Sequence, residues 1–263
     1  MSHPLYGSPR AVHPLASVLL QHNPGPMTLD GTNTWVVSVP DSGERIVVDP
    51  GEDDGTHLEN LADGPPVVAV VLTHRHHDHA GGIDRFAELA GAPPVYAADP
   101  TLTRGTDRLA DGDVLAAAGV ELEVLATPGH TSDSVSLLLT GPGADGAALL
   151  AGDTILGRGT TVIAHPDGAL GPYLESLRRI AALPAGTPVL PGHGPELPDA
   201  AETARAYLAH REQRLDQVRA ALTELGPDAS PRQVVEVVYS DVDRVLWDAA
   251  ELSVRAQLDH LRG

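Results

Sequence analysis

The chain has 263 residues, a length that suits one large domain or a main domain with a small second domain. Hydrophobic residues make up 42% and charged residues 20% of the sequence, a balance that excludes a disordered or fibrous protein. Cysteine is absent, which excludes disulfides, thiolate metal sites and a cysteine nucleophile. The net charge of −19 arises from 36 acidic and 17 basic residues, so polyanions are repelled unless positive charge is concentrated locally.

The sequence shows no sign of membrane insertion or secretion. No apolar run approaches the roughly 20 residues that a membrane-spanning helix needs. The first residues lack the basic start and the apolar stretch of a secretory signal. We therefore expect a protein without a membrane span and with a cytoplasmic location.

Short apolar runs rich in Val, Leu and Thr, separated by Gly and Pro, predict strands in the first two thirds of the chain. These predicted strands cover residues 34–39, 45–49, 67–73, 95–98, 122–126, 134–140, 147–151 and 189–190. Apolar residues at helical spacing predict helices at residues 82–90 and 173–183. Several strands carry apolar side chains on both faces, which indicates an α/β protein whose sheet is buried between helices.

The sequence changes character near Pro198. Residues 199–225 show apolar side chains at helical spacing, and Gly226 with Pro227 ends this predicted helix. Ser230 and Pro231 form a cap and a first-turn proline for a second helix through Tyr239, and a third helix is predicted at residues 242–261. We place a domain boundary here, with a catalytic domain at residues 1–197 and a helical domain at residues 198–263. The second domain is expected to be a structural cap, a substrate platform or a dimer contact.

The stretch VVAVVLTHRHHDHAGGI at residues 67–83 carries the densest cluster of metal-binding side chains. A predicted strand runs to Thr73, and the turn that follows it presents four of these residues: His74, His76, Asp78 and His79. Neutral imidazoles and a carboxylate that alternate on a tight loop can converge on a cation, and zinc prefers such ligands. His77 lies in the same cluster, but the alternation points its ring away from a metal.

Three later segments each combine an apolar strand, a glycine-assisted turn and a residue that can bind metal. The segment TPGHT presents His130, the segment LLAGDT presents Asp153, and the segment LPGHG presents His193. Each segment is a weak signal alone. Because ligands at the ends of neighbouring strands meet at one edge of a sheet, together they predict a single metal centre.

The pattern H-x-H-x-D-H, followed by PGH, GD and PGHG, resembles the metallo-β-lactamase superfamily, whose fold is an αββα sandwich with metals at one edge. Further segments resemble the beta-lactamase-like protein 2 subfamily, which adds a winged-helix-like domain: LDGTNTW at 29–35, VVDPG at 47–51, residues 171–183 and AHREQR at 209–214. The chain stops at residue 263, where that subfamily continues into wing strands. We therefore expect a small helical, winged-helix-like C-terminal domain that lacks the wing.

The resemblance also implies a ligand set for two Zn²⁺ ions per chain, for which Mn²⁺ or iron can substitute. It assigns three ligands to the first metal, three to the second and one that bridges both: His74, His76 and His130; Asp78, His79 and His193; and Asp153. Two zinc ions roughly 3.5–4 Å apart lower the pKa of a bridging water to near neutrality. A metal-bridging hydroxide is then the expected nucleophile. Asp78 is the predicted catalytic residue, because it both binds metal and can orient the hydroxide.

Departures from related families narrow the expected chemistry. The best-known β-lactamases carry Cys where this chain has Asp153, so antibiotic hydrolysis is not expected as its native task. Diiron flavoprotein relatives carry Glu in place of His76, which argues against that redox role. His165 lies between two predicted ligands in sequence, and whether it overhangs the site stays open. The other histidines have no metal-binding neighbours in sequence.

Three classes of function follow: a dinuclear zinc hydrolase, which we favour, a mononuclear iron persulfide dioxygenase, and a non-catalytic nucleic-acid-binding module. Similar hydrolases cleave thioesters, including those of acyl carriers, or single-stranded RNA. RNA binding needs a basic track and aromatic surfaces, whereas this chain has no lysine and only 3% aromatic residues. We therefore predict a small-molecule ester, thioester or acyl-carrier substrate, with a zinc-dependent single-stranded endoribonuclease as the alternative.

The protein is expected to be a monomer or a homodimer. Seven arginines are candidates for a cationic surface near the mouth of the site: Arg75, Arg104, Arg108, Arg158, Arg205, Arg211 and Arg214.

Overall fold

The computed structural model describes residues 6–262 and contains two β-sheets. The first sheet has six strands, and their spatial order follows the chain: β1 (Arg10–His13), β2 (Ala16–Leu20), β3 (Asn33–Val37), β4 (Arg45–Val48), β5 (Val67–Val71) and β6 (Val95–Tyr96). The second sheet has five strands: β7 (Val114–Ala117), β8 (Val120–Ala126), β9 (Val135–Thr140), β10 (Ala148–Gly152) and β11 (Val189–Pro191). Its spatial order is β11-β10-β9-β8-β7.

The two sheets pack face to face around an apolar core. The first sheet contributes Trp35 and Ile46, and the second contributes Leu122, Leu137 and Leu150, all of which are buried. The strands that lead to the predicted site run parallel, because β4 pairs with β5 and β10 pairs with β11 in that sense. Their carboxyl ends therefore point to one edge of the sandwich.

Helices cover the outer face of each sheet. The helices α1 (Gly55–Ala62) and α3 (Ile83–Leu89) pack on the first sheet through Leu58, Leu61 and Phe86. The helix α4 (Leu170–Ala181) packs on the second sheet, where Tyr173 and Leu177 contact the strand residues of β10 and β11. The predicted αββα sandwich is therefore confirmed.

All the predicted strands are present, with ends displaced by no more than a couple of residues. Four elements were not predicted from the sequence: β1, β2, β7 and α1. The short helix α2 (His77–Ala80) was predicted as a turn. The missed strands are short, and an apolar run of this length does not distinguish a strand from a helix. The helix α1 begins after Asp54, whose side chain accepts hydrogen bonds from the backbone N–H groups of Thr56 and His57.

The C-terminal segment is helical, with no strand among residues 198–262. It contains α5 (Ala200–Leu225), α6 (Pro231–Val238), a 3-10 helix (Arg244–Leu246) and α7 (Trp247–Arg262). Ser230 and Gln233 form a capping box at the start of α6, as the Ser-Pro pair predicted. The prediction of one helix from residue 242 was wrong at its start, because Asp243 caps the backbone N–H of Val245 and begins the separate 3-10 turn.

The first half of α5 and its second half join different cores. Ala204 and Tyr207 pack with α4, whereas Val218 and Ala221 pack with α6 and α7. The domain boundary at residue 198 stays a prediction. Among the described residues, no helix is both long and apolar enough to cross a membrane. Residues 1–5 and residue 263 lie outside the described residues. Residues 1–5 belong to the N-terminal stretch in which no secretory signal was predicted.

Candidate metal centre

The structure brings all seven predicted ligands together at one edge of the sandwich. Each of them follows a strand with side chains in the core, so the core fixes the backbone from which it projects. The segment after β5 carries four of them, the β8–β9 loop carries one, and the ends of β10 and β11 carry the last two: His74, His76, Asp78 and His79; His130; Asp153 and His193. The ligand atoms form overlapping groups in which every atom lies within 4.8 Å of the others.

The first group contains His74, His76 and His130. The Nδ1 atom of His76 lies 3.1 Å from Nε2 of His74 and 3.0 Å from Nε2 of His130. A neutral imidazole carries one N–H, so His76 can donate to only one of these nitrogens. Three converging lone pairs with too few protons between them are the arrangement that a cation stabilises.

The second group contains Asp78, His79 and His193. Nε2 of His193 lies 3.0 Å from Oδ2 of Asp78 and 3.2 Å from Nε2 of His79. Both rings are fully buried, whereas the carboxylate of Asp78 is 22% exposed. The carboxylate side of this group is therefore open to the solvent.

Asp153 lies between the two groups. Its Oδ1 is 3.5 Å from Nε2 of His79, and its Oδ2 is 3.7 Å from Nε2 of His130 and 3.5 Å from Nε2 of His193. Oδ1 is buried and has no hydrogen-bond partner among the described residues, which is costly for a carboxylate unless a cation is bound. Gly192 makes room for this contact, since a Cβ there would lie 2.5 Å from Oδ1.

Backbone carbonyls fix the tautomers of two of the rings. Nδ1 of His130 donates to the carbonyl of Val162 at 2.6 Å, and Nδ1 of His193 donates to the carbonyl of Gly31 at 3.1 Å. In a neutral ring, each Nε2 is then left unprotonated and points into the centre. Both rings are therefore preorganised to bind metal through Nε2.

Asp49, which the sequence analysis did not identify as a site residue, organises two further rings. Its Oδ2 accepts a hydrogen bond from Nδ1 of His79 at 2.9 Å and another from the hydroxyl of Thr73 at 2.7 Å. Because the hydroxyl of Thr73 donates to Asp49, it accepts the 3.1 Å hydrogen bond from Nδ1 of His74. The only signal in the sequence was the position of Asp49 at the end of an apolar strand, in VVDPG.

The LDGTNTW segment, also missed as part of the site, holds the loop that carries His193. The side-chain amide of Asn33 donates to the carbonyls of Pro191 at 3.0 Å and Gly194 at 2.8 Å. The indole N–H of Trp35 donates to the same carbonyl of Pro191 at 3.1 Å. These contacts explain why a segment so far away in sequence forms part of the centre.

The carboxylates give the second group a strong affinity for positive charge. Burial lowers the pKa of His79, but Asp78, Asp153 and Asp49 outweigh burial and raise the pKa to about 9. Burial is likewise outweighed at His193, where Asp153 and Asp78 raise the pKa well above its usual value. A metal ion that binds this group must therefore displace protons, so its affinity increases with pH.

The first group has the opposite balance. Burial and the charge of His130 lower the pKa of His76 to about 4. Burial and the charge of His79 lower the pKa of His74 well below its usual value. These two rings are therefore neutral at physiological pH, the form in which histidine binds metal.

The other histidines lie outside these groups in the described residues. His77 is exposed, as the alternation predicted. His165 does not reach the ligand cluster, because its Nε2 pairs with Asp259 of α7 at 2.9 Å. His57 is buried beside Thr34, 3.0 Å from its hydroxyl, and packs behind the site instead of in it. His3 lies outside the described residues.

A cleft of about 350 Å³ opens beside the centre, in the size range of small-molecule sites. His130 and Asp153 line one end, and residues of α5, α7 and the 3-10 helix form a wall. Of the seven candidate arginines, three line this cleft: Arg158, Arg211 and Arg214. The other four line no part of it, and Arg75 and Arg104 are held by carboxylates.

Substitution of Asp49 by asparagine is expected to lower metal affinity or turnover by about 10- to 100-fold, the usual effect of losing a hydrogen bond behind a ligand. The amide has nearly the same size, but it cannot accept all three hydrogen bonds that the carboxylate accepts from Thr73 and His79. Metal titration and steady-state kinetics of the variant measure the effect. The exposed Asp84→Asn variant is the control, and equal metal affinity together with equal turnover in the two variants would contradict this role of Asp49.

Comparison with known proteins agrees with this geometry. Residues 27–193 match the metallo-β-lactamase superfamily, and residues 230–262 match the beta-lactamase associated winged helix domain. A beta-lactamase-like protein 2 homolog of Caenorhabditis elegans is 36% identical over 255 residues, which cover 92% of this chain and 82% of that protein. The atrochrysone carboxyl ACP thioesterase of Aspergillus fumigatus is 32% identical over 228 residues, which cover 83% of this chain and 66% of that protein.

A solved structure has the same fold over nearly the whole chain. The crystal structure of a beta-lactamase domain protein from Burkholderia ambifaria superposes with a TM-score of 0.80 at 24% identity, covering 98% of this chain and 90% of that one. The C-terminal match covers α6, the 3-10 helix and α7, in keeping with a domain that has helices and no wing among the described residues. The sequence match, the fold and the clustered ligands together place this chain in the metallo-β-lactamase superfamily of metal-dependent hydrolases.

Proposed function

We propose that this protein is a dinuclear-zinc-dependent hydrolase that acts on an ester or thioester. The observation that carries the proposal is the position of Asp153, whose carboxylate lies between two groups of three ligands each. The ligands assigned to the first metal are His74, His76 and His130, and those assigned to the second are Asp78, His79 and His193.

The donor set fits two zinc ions. Five imidazole nitrogens and two carboxylates are borderline and hard donors, which zinc accepts readily and which Mn²⁺ or iron also accept. When bound, two such ions lower the pKa of water to near neutrality and polarise a carbonyl oxygen. The unpartnered Oδ1 of Asp153 is accounted for by this assignment.

Asp78 is the residue of the chain that we place next to the attacking water. Its Oδ2 contacts Nε2 of His193, whereas its Oδ1 accepts no hydrogen bond from residues 6–262. Burial raises the pKa of Asp78, but His79 and His193 outweigh burial and lower it to about 2. The carboxylate is therefore ionised at neutral pH, so its free oxygen can accept a hydrogen bond from water and orient it.

Two observations favour an ester or thioester substrate. One relative in this superfamily is named as a thioesterase that acts on an acyl carrier protein, and it is 32% identical to this chain. The cleft is small and largely lined by apolar side chains, among them Leu156, Leu246 and Ala250. A small carbonyl substrate with an apolar acyl group fits such a cleft, and an acyl-carrier thioester can deliver it.

The alternative is a single-stranded endoribonuclease. Three arginines line the cleft: Arg158, Arg211 and Arg214. Arg158 pairs with Asp30, so Arg211 and Arg214 are the two that favour an anionic ligand such as a phosphodiester. Residues 6–262 show no continuous basic track, however, because two of the other four candidate arginines, Arg75 and Arg104, are neutralised by carboxylates. The persulfide dioxygenase hypothesis requires one iron per chain instead of two zinc ions, and a nucleic-acid-binding module requires no turnover at all.

A side-by-side assay tests the proposed substrate. The zinc-loaded protein is given acyl-thioesters and a labelled single-stranded RNA at physiological salt, with the Asp153→Ala variant as the blank. Metal-dependent thioester hydrolysis is the expected result. Metal-dependent RNA cleavage without thioester turnover would make the protein an endoribonuclease and overturn the proposal.

A further inference from the structure

The cleft contains two arginines that the proposed chemistry does not use. Arg211 and Arg214 lie one turn apart on α5, and both line the cleft shared with His130 and Asp153. Neither guanidinium forms an ion pair with a carboxylate of residues 6–262, whereas Arg158, the third arginine of the cleft, pairs with Asp30. In a chain with a net charge of −19, two unneutralised cations side by side require an explanation.

Arg211 is buried, with only 3% of its surface exposed. Its Nη2 donates to the carbonyl of Thr161, and its guanidinium lies 5.1 Å from the centre of the Tyr173 ring. Its Nε is also buried but has no hydrogen-bond partner in the described structure. A buried guanidinium stays charged, so an acceptor from a bound ligand would stabilise it.

Arg214 is held in place by neutral groups. It donates to the carbonyl of Val238 and to the side chain of Gln217, both at 2.9 Å, and it lies 4.6 Å from the centre of the Tyr239 ring. None of these contacts removes its charge. One turn before it on α5, His210 lines the same cleft, and its Nδ1 is buried with no hydrogen-bond partner among residues 6–262.

Arg211 and Arg214 together form a cationic wall of the cleft, and hydrogen bonds connect this cationic wall to the metal centre. Arg211 donates to the backbone carbonyl of Thr161, and the hydroxyl of Thr161 donates to the backbone carbonyl of Asp153. A ligand group bound by Arg211 therefore lies beside the loop that carries the bridging carboxylate. The rest of the cleft is mainly apolar, so it fits a ligand with an apolar body and one charged end.

We propose that Arg211 and Arg214 bind an anionic group of the substrate, a carboxylate or a phosphate, while the ester or thioester bond lies at the metal centre. The planar guanidinium matches either oxyanion with paired hydrogen bonds. The carboxylate would come from the acyl group, and the phosphate from a phosphopantetheine thiol. This inference rests on the proposed hydrolase function and restricts its substrate class.

Three thioesters test the inference with the zinc-loaded full-length protein: neutral butyryl-pantetheine, butyryl-pantetheine 4′-phosphate and succinyl-pantetheine. We expect kcat/KM for one of the two charged thioesters to exceed that for the neutral one by about 10- to 100-fold, through a lower KM. The source of the anion follows from which charged thioester is preferred. In the Arg214→Gln variant, the ratio of kcat/KM for the preferred charged thioester to kcat/KM for the neutral one should fall towards one. The control variant Arg205→Gln should retain the wild-type ratio, because Arg205 lies on the exposed side of α5 and outside the cleft. Arg214 is chosen because the buried Arg211 also supports the loop through Thr161.

A binding measurement separates failure of this inference from failure of the proposed function. Calorimetry of pantetheine 4′-phosphate and of succinate with the zinc-loaded protein should show binding of one of them, weakened at least about 10-fold in Arg214→Gln. If no thioester is hydrolysed but this binding is seen, the hydrolase proposal fails and the anion site stands. If the wild type and Arg214→Gln prefer the charged thioester to the same extent and bind the anion equally well, the anion site is overturned. Tighter binding of a single-stranded oligonucleotide, lost in the same variant, would overturn the small-substrate assignment.

Discussion

Replacement of Asp153 by alanine is expected to remove at least one metal ion per chain and to reduce turnover on the order of a thousand-fold, about 4 kcal/mol in the activation barrier. The carboxylate lies within 3.7 Å of histidines from both ligand groups, so its removal affects both proposed metals at once. His76→Ala should have a similar effect through the first group, since its ring is within 3.1 Å of two others.

Metal analysis and steady-state kinetics on the same preparations check this prediction. Asp145→Ala, at an exposed position between β9 and β10, is the control and should retain both metal and activity. Circular dichroism establishes that each variant is folded. Full activity of Asp153→Ala or His76→Ala with unchanged metal content would show that the ligand assignment is wrong.

Truncation after Leu197 is expected to yield an insoluble protein, or a soluble one with greatly reduced activity. The first half of α5 covers the apolar face of α4, so its loss exposes Tyr173 and Leu177. The truncation also removes the hydroxyl of Tyr207, which accepts from the backbone N–H of Leu156 and donates to the carbonyl of Gly159. The same loop carries the carbonyl of Val162, which orients His130.

A point variant keeps this prediction testable if the truncated chain does not fold. Tyr207→Phe removes only the hydroxyl and leaves the backbone N–H of Leu156 without this partner, which should lower the free energy of unfolding by about 1–3 kcal/mol. Urea denaturation measures this change. A soluble, fully active protein ending at Leu197 would show that the C-terminal helices neither support the loop nor form part of the substrate site.

The seven residues that the structure brings together could be named from the sequence because each has its own local signal. His74 and His76 follow an apolar strand, and the glycine turns before His130 and His193 repeat the same pattern. Which of these loops meet is a property of the sheets, and the pattern of strands predicted it correctly because parallel strand ends share one edge.

The groups behind the ligands could not be found in the same way. Asn33 donates to a carbonyl 158 positions away, and Nδ1 of His193 donates to a carbonyl 162 positions away. Such hydrogen bonds depend on how two sheets and their loops pack, which residue spacing does not encode. Asp49 is similar, since nothing in its neighbourhood in sequence predicts that it bonds to His79, thirty positions later.

The sequence also did not predict which arginines form the cationic wall of the cleft. Arg211 and Arg214 were two of seven candidates, and only the packing of α5 against the loop at Thr161 distinguishes them from Arg205 on the same helix. The two arginines are one helical turn apart, which places them on one face of α5, but spacing alone does not show what that face contacts.

The most direct test of the account is an anomalous diffraction measurement on crystals of the zinc-loaded protein, combined with metal analysis in solution. We expect two zinc ions per chain, roughly 3.5–4 Å apart, with Asp153 bound to both. Three of the other ligands should bind each ion, with metal–ligand distances of about 2.0–2.2 Å. A single metal ion bound only by His74, His76 and His130, or two ions that do not share Asp153, would contradict it.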